Sequence, residues 1–210
     1  MLPHQLYLYW GPSVEVIKLF AASPLAKRTS EFWTEFLDAY ENLVGKVAGL
    51  DAAKLPDNPV FVSAVIQAQR IAQTTSDSDK RKILRNALLN IAVGDAPDED
   101  IQTMFLQNIE RFTPTHIKLF EFLSKPYHYL EGKIDEMQQA QGVGVLKGIE
   151  LVFPHLGKRP EYVKSLLLDL FNSGLIISAN VDQAQPGQTL TNLGAEFQRF
   201  IMVGPLDKSE

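Results

Sequence analysis

The 210-residue chain contains no cysteine. That excludes disulfide scaffolds, thiolate zinc sites, iron–sulfur clusters and thiol nucleophiles. It also lacks a long apolar run: the best stretch, Ser165 to Ser178, is interrupted by Asp169, Asn172 and Gly174, short of the ~18–20 apolar residues that span a bilayer. Basic charge is not in excess, with 20 Lys+Arg against 25 Asp+Glu and a formal net charge of -5. Binding nucleic acid by bulk charge is therefore excluded, and only a local basic face could serve. Residues Met1 to Trp10 are apolar but carry no basic leader and are broken by Pro3, His4 and Gln5. They do not read as an export signal, and the expected compartment is the cytoplasm.

What is present is ordinary globular composition, 45% hydrophobic and 21% charged, enough for one large or two small domains. Helical periodicity dominates. Pro12 and Ser13 open a short helix that ends at Ser23-Pro24. From Thr29 to Gly49, Phe32, Trp33, Phe36, Leu37, Tyr40, Leu43, Val44 and Val47 recur at three- and four-residue steps, with Glu31, Glu35, Asp38 and Glu41 on the other side. Leu55-Pro56-Asp57-Asn58-Pro59 reads as a turn and N-cap cluster, with Pro59 suited to the first position of a helix from Val60 to about Thr74. Thr74 to Asp79 form a polar break whose Ser and Asp residues can cap a helix that stops at Gly94, Asp95 to Asp98 start another, and Thr113-Pro114 starts one that is ended by Pro126.

The last third differs. Tyr127 to Gln141 predicts an additional polar helix. Val145 to Leu156 predicts a short amphipathic helix ending at Gly157, and Arg159-Pro160 opens the next, with Val163, Leu166, Leu167, Leu170 and Phe171 inward and Gly174 closing it. Leu175 to Ala179 and Thr189 to Thr191 predict two short strands around the Pro186-Gly187 loop. Asn192 to Gly194 then lead into a final helix containing Phe197, Phe200 and Ile201. The expected fold is mainly α, with a helical domain over 1–112 and a second domain over 113–210 that holds a small β-hairpin and the extra helix near 127–141.

Val163, Leu167, Leu170, Gly174, Leu175 and Ile176, followed by Leu190, Thr191, Gly194 and Phe197, give this second domain a pattern that resembles a winged helix-turn-helix. The extra helix departs from that family's usual spacing. The resemblance implies a recognition helix whose outward residues are Glu161, Lys164, Ser165, Leu168, Asp169 and Asn172, preceded by Lys158 and Arg159. Two acids and an outward leucine against one lysine make a poor DNA face. From Thr113 on, nine basic residues stand against eleven acidic ones. Phe105 to Ile109, Phe112 to His116 and Leu119 to Leu123 are also similar to bacterial abortive-infection proteins of the alpha type, which implies a role in phage defence.

Other candidates have structural explanations. Lys80, Arg81, Lys82 and Arg85 form the densest basic cluster. They read as an exposed, dispensable helix face balanced by Asp77 and Asp79, or alternatively as a patch for phosphate or an acidic partner. His4, His116, His128 and His155 show no metal-ligand spacing and read as isolated surface or capping residues. Gly142 to Gly148 lacks the Lys-Ser/Thr end of a P-loop and reads as a hinge. Tyr7, Tyr9 and Trp10 must pack on this chain or on a second subunit. No cofactor, metal site or catalytic signature is expected. The expected role is non-enzymatic binding or regulation, with a protein partner or a second copy ahead of DNA. The alternatives are a DNA-binding transcriptional regulator and a helical enzyme with a site scattered in sequence.

Overall fold

The computed structural model describes residues 26–44, 52–132, 145–179 and 189–202. The expected helix opened by Pro12 and Ser13 and ended by Ser23-Pro24, the aromatics Tyr7, Tyr9 and Trp10, and the Pro186-Gly187 loop lie outside these residues. The described chain is mainly helical. In order it forms α1 (Ala26–Val44), a 3-10 turn (Ala52–Asp57), α2 (Pro59–Thr74), α3 (Ser78–Ala92), α4 (Glu99–Arg111), α5 (Pro114–Ser124), α6 (Pro126–Leu130), α7 (Val145–Val152), α8 (Pro154–Gly157), α9 (Pro160–Asn172) and α10 (Asn192–Met202).

Local chemistry sets these boundaries. Asn58 Oδ1 accepts from the backbone N–H groups of Val60 and Phe61 at 3.0 and 3.2 Å, and Pro59 occupies a position whose N–H has no helical partner. Asp77 Oδ1 caps α3 by accepting from Lys80 N at 2.7 Å. Pro154 divides what periodicity predicts as one helix over Val145 to Leu156. It has no N–H for the ladder, and Phe153 before it takes φ -125 and ψ 73, so α7 stops and α8 restarts. The polar helix expected over Tyr127 to Gln141 is observed only as the five residues of α6, followed by a turn at Gly132 with φ +77. The rest of that stretch lies outside the described residues.

The chain forms two compact units. The first holds the described residues up to Glu110 together with Phe200 to Met202, and the second holds the described residues of Arg111–Arg199. In the first, α1, α2 and α3 pack on one another as a helical bundle. Their apolar stripes bury Phe32, Phe36, Phe61, Leu84 and Leu88. The rings of Phe36 and Phe61 lie 6.5 Å apart, and those of Phe105 and Phe200 lie 5.4 Å apart. Two buried amides one turn apart on α3 hold the end of α10. Asn86 Nδ2 donates to Ile201 O at 2.9 Å and Asn90 Nδ2 to Phe200 O at 3.0 Å. The last carbonyls of a helix have no intrahelical donor, so these two asparagines supply what α10 itself cannot.

In the second unit, α5 packs on α6, α7 and α9, and α8 on α7 and α9. Phe120 and Phe197 meet edge to face at 5.2 Å. Gly174 ends α9 at φ +70, where its N–H donates to Phe171 O and the Leu175 N–H to Leu170 O. The expected β-hairpin is not seen among the described residues: in place of two strands there is one isolated antiparallel bridge, Ile176 to Leu190. Ile177 N donates to Thr189 O at 2.9 Å and Thr191 N to Leu175 O at 3.1 Å on either side of it. Gly194 lets α10 start against this crossing, because a Cβ there would lie 2.0 Å from Leu175 O.

Replacing Asn90 with Ala should lower unfolding free energy by about 1–3 kcal/mol, the cost of leaving a buried carbonyl without its donor. Urea denaturation of the variant against the parent chain measures it.

Candidate functional site

Helix α9 carries the site. Its inner side buries Val163, Leu166, Leu167 and Leu170. At 3.6 residues per turn, Glu161, Lys164, Ser165, Leu168 and Asn172 fall on the opposite side, and all five are exposed. Leu168 is 49% exposed, as expected for an outward position. Phe171 is a correction. It was expected inward, yet it is 42% exposed, because Leu167 and Leu170 already occupy the inner arc and residue 171 lies one turn beyond Leu168. Leu168 and Phe171 thus form a two-residue apolar patch on consecutive turns.

The charges around this patch cancel locally. Lys164 Nζ lies 3.1 Å from Glu161 Oε1, with both side chains well exposed. Such a pair adds little stability, but it removes Lys164 as an uncompensated cation. Lys158 and Arg159 are exposed in the turn before α9, and Arg159 makes no side-chain cap to the helix.

Asp169 sits at the edge of the face and is held from inside. His116 of α5 is buried, and its Nε2 lies 3.2 Å from Asp169 Oδ2. His116 Nδ1 accepts from the Thr113 N–H at 3.1 Å, which fixes Nε2 as the nitrogen that donates to the carboxylate. The Thr113 hydroxyl also lies 2.9 Å from Nδ1. Hydroxyl, imidazole and carboxylate therefore stand in the order of a nucleophilic relay. The Nδ1 lone pair already takes a backbone proton, so the ring serves as a cap and clamp and not as a base for Thr113. The His116 ring also stacks on Phe112 at 5.1 Å. Ser173 Oγ donates to Asp169 O at 2.6 Å and receives a bond from Arg111 Nη2, so the far end of α9 is tied as well.

The basic cluster on α3 does not form a patch. Lys80 was expected to be exposed and dispensable, but it is only 8% exposed, with its Nζ donating to Glu110 O at 2.7 Å. The residue lies on the inner side of α3, where its ammonium satisfies a terminal carbonyl of α4. Arg85 pairs with Glu35 of α1 at 3.0 Å, and Arg81 Nη1 reaches Ser76 O at 3.4 Å. Lys82 is exposed. Of the histidines, His128 and His155 are exposed beside Tyr129 and Phe153, and His4 lies outside the described residues. Among the described residues no group of three His, Asp or Glu side chains could hold a metal ion. Gly148 of the expected hinge is buried within α7, and Gly142 to Gly144 lie outside the described residues. A small apolar cleft lies between Phe122, Leu123, Pro126, Leu130, Val145, Gly148 and Thr189, with no charged side chain in its lining.

Sequence reasoning missed the His116–Asp169 clamp, the inward turn of Lys80 and the outward turn of Phe171. The spacing Thr113-Pro114-Thr115-His116 held one available signal, since a polar ring at the third helical position can reach back to the cap. Neither protein-family models, curated proteins nor solved structures give a match to this chain.

Two measurements probe these buried polar groups. His116→Ala should lower unfolding free energy by about 1–3 kcal/mol through the lost cap on Thr113 and the lost packing on Phe112, since the half-exposed Asp169 carboxylate can turn to water. Asp169→Ala should lower it by a similar amount, because it takes the carboxylate away from the buried His116 Nε2. Burial pushes the Lys80 ammonium below the ordinary lysine value, with Glu110 and Asp77 opposing that shift. The folded chain then sheds this proton at lower pH than the unfolded chain does, so stability rises with pH between the two values. Going from about pH 8 to about pH 10, the unfolding free energy of the parent chain should improve relative to Lys80→Met. An unchanged difference would mean that Lys80 stays charged throughout.

Proposed function

We propose that this chain is a non-enzymatic binding or regulatory protein whose second unit acts as a winged-helix-like module. On this reading the outer face of α9 takes a protein surface in preference to DNA. The order α5, α7, α9, then the Ile176–Leu190 bridge and α10, supports the module assignment. One observation carries the choice of partner: Leu168 and Phe171 stand exposed on consecutive turns where a DNA reader needs polar and cationic side chains. Exposed apolar side chains on an otherwise polar helix face are the anchors of protein contacts. DNA would have to be held by Lys158 and Arg159, with Lys164 shared with Glu161 and Asp169 repelling the backbone.

Leu168→Glu should abolish retention of the partner in affinity capture followed by mass spectrometry, while leaving the melting temperature within about 2 °C, as for an ordinary surface change. Fluorescence anisotropy with duplex DNA provides the opposing arm. Duplex binding that weakens with salt at a log–log slope of roughly -0.9 per phosphate, survives Leu168→Glu and disappears in Lys164→Glu would replace the protein reading with a DNA one.

A further inference from the structure

We propose that His116 is a proton-operated switch of the α5 cap, which closes the cap when neutral and opens it when protonated, while α9 stays held in both states. The switch operates whichever partner α9 takes. Two atoms of Thr113 lie against one ring nitrogen, and each suits a different charge state. Thr113 N is 3.1 Å and Thr113 Oγ1 2.9 Å from His116 Nδ1. In the neutral ring Nδ1 carries the lone pair, so it accepts the Thr113 N–H and closes a capping box with that residue. Nε2 carries the proton and donates to Asp169 Oδ2.

A proton taken from water onto Nδ1 leaves no lone pair on the ring. The Thr113 N–H then faces a second N–H and gives up its bond. Thr113 Oγ1 stands where it can accept from the new Nδ1–H, and at this exposed residue the hydroxyl hydrogen can turn to water. Nε2 keeps its proton throughout, so the bond to Asp169 persists and becomes an ion pair. Protonation thus exchanges the backbone cap of α5 for a stronger tie to α9. Asp169 is the α9 carboxylate that favours the added charge. Arg111 opposes it, with its guanidinium 5.4 Å from the centre of the Phe112 ring that stacks on His116. On α9, Lys164 is paired with Glu161; on α7, Lys147 with Glu150; on α5, Glu121 takes the Tyr129 hydroxyl. Lys118 of α5, His128 of α6 and Arg199 of α10 are exposed, and Glu196 of α10 is partly so. The cap stands where the chain enters the second unit, two residues after Arg111.

The experiment is an NMR titration of the full chain from about pH 8 to about pH 5, the interval in which histidine changes charge. The ring nitrogens of His116 should show the Nε2–H tautomer at the alkaline end and a doubly protonated imidazole at the acid end. The Thr113 amide should shift with the same midpoint. Its hydrogen-exchange protection, corrected for the intrinsic rate at each pH, should fall roughly tenfold in acid, the equilibrium value of about one hydrogen bond. The amides of Leu166 to Leu170 in α9 should keep their protection. His116→Gln retains an acceptor at the position from which a glutamine reaches back to a cap, but it cannot titrate. Protection of Thr113 in that variant should be the same at both ends of the range. Asp169→Asn keeps an acceptor for Nε2 and removes the charge, so the midpoint should move to lower pH. Should His116→Gln fail to fold, the parent titration and Asp169→Asn still decide the matter. A ring that stays neutral down to the acid end, a neutral ring with its proton on Nδ1, or a Thr113 amide that does not follow the ring would each overturn the switch. Loss of α9 protection at the same midpoint would overturn it too, because α9 would then be released and not held.

Discussion

The rotation of α9 about its own axis is the constraint on which the second unit's surface depends. A helix with four apolar residues inward and two outward could turn by a fraction of a residue and bury Phe171 in place of Leu166, with little change in area removed from water. The His116–Asp169 bond opposes that turn. It fixes Asp169 to the edge of the helix through a directional contact of 3.2 Å, and hydrophobic burial supplies no such directionality. With Asp169 at the edge, residues 168 and 171 point away from α5, and the apolar patch is a consequence. His116 can do this because its other nitrogen is already fixed by the Thr113 N–H. The capping of one helix therefore sets the phase of another.

A second set of polar contacts places α10. Thr191 Oγ1 donates to Gly174 O and accepts from Gly194 N, and the Leu175 carbonyl takes the Thr191 N–H. Thr189 Oγ1 donates to Leu123 O at the end of α5. Each contact satisfies a backbone group that helix termination leaves open, and together they make a compact crossing from a single β-bridge. At the far end of α10, Asn86 and Asn90 do the same for Phe200 and Ile201. The chain uses short polar side chains at helix ends where a larger sheet would use a ladder.

The boundary between what the sequence conveys and what it withholds follows from these contacts. Helix existence was legible, because Phe32, Phe36 and Tyr40, or Val163, Leu166, Leu167 and Leu170, repeat at the period that burial requires. The cap clusters Leu55 to Pro59 and Thr74 to Asp79 were legible for the same local reason, though which residue caps, Asn58 and Asp77, is set by the structure. The outward phase of Leu168 was readable from its neighbours, but that of Phe171 was not. Periodicity assigns a residue at the rim of an apolar arc to either side, and only the packing of α9 on α5 and α8 decides it. Lys80 was misjudged because a charge run normally marks a solvated face. Its amine instead meets Glu110 O thirty residues away, a partner that no local pattern announces. His116 and Asp169 are 53 positions apart, so their pairing is a property of the fold and not of any motif.

Buried polar groups in this chain therefore serve placement more than adhesion. Lys80, Asn86, Asn90 and His116 each cost desolvation, and each offsets it through bonds that include a backbone group at a helix end. A leucine in their place could pack, but it would leave a helix terminus unsatisfied and its rotation unset. The exposed apolar pair on α9 shows the reverse allocation, with Leu168 and Phe171 in water while inner positions are already filled. Side chains of that kind outside a full core add nothing to this chain's own stability and favour association. The same helix is thus held by polar contacts on its inner edge and carries two apolar side chains on its outer face.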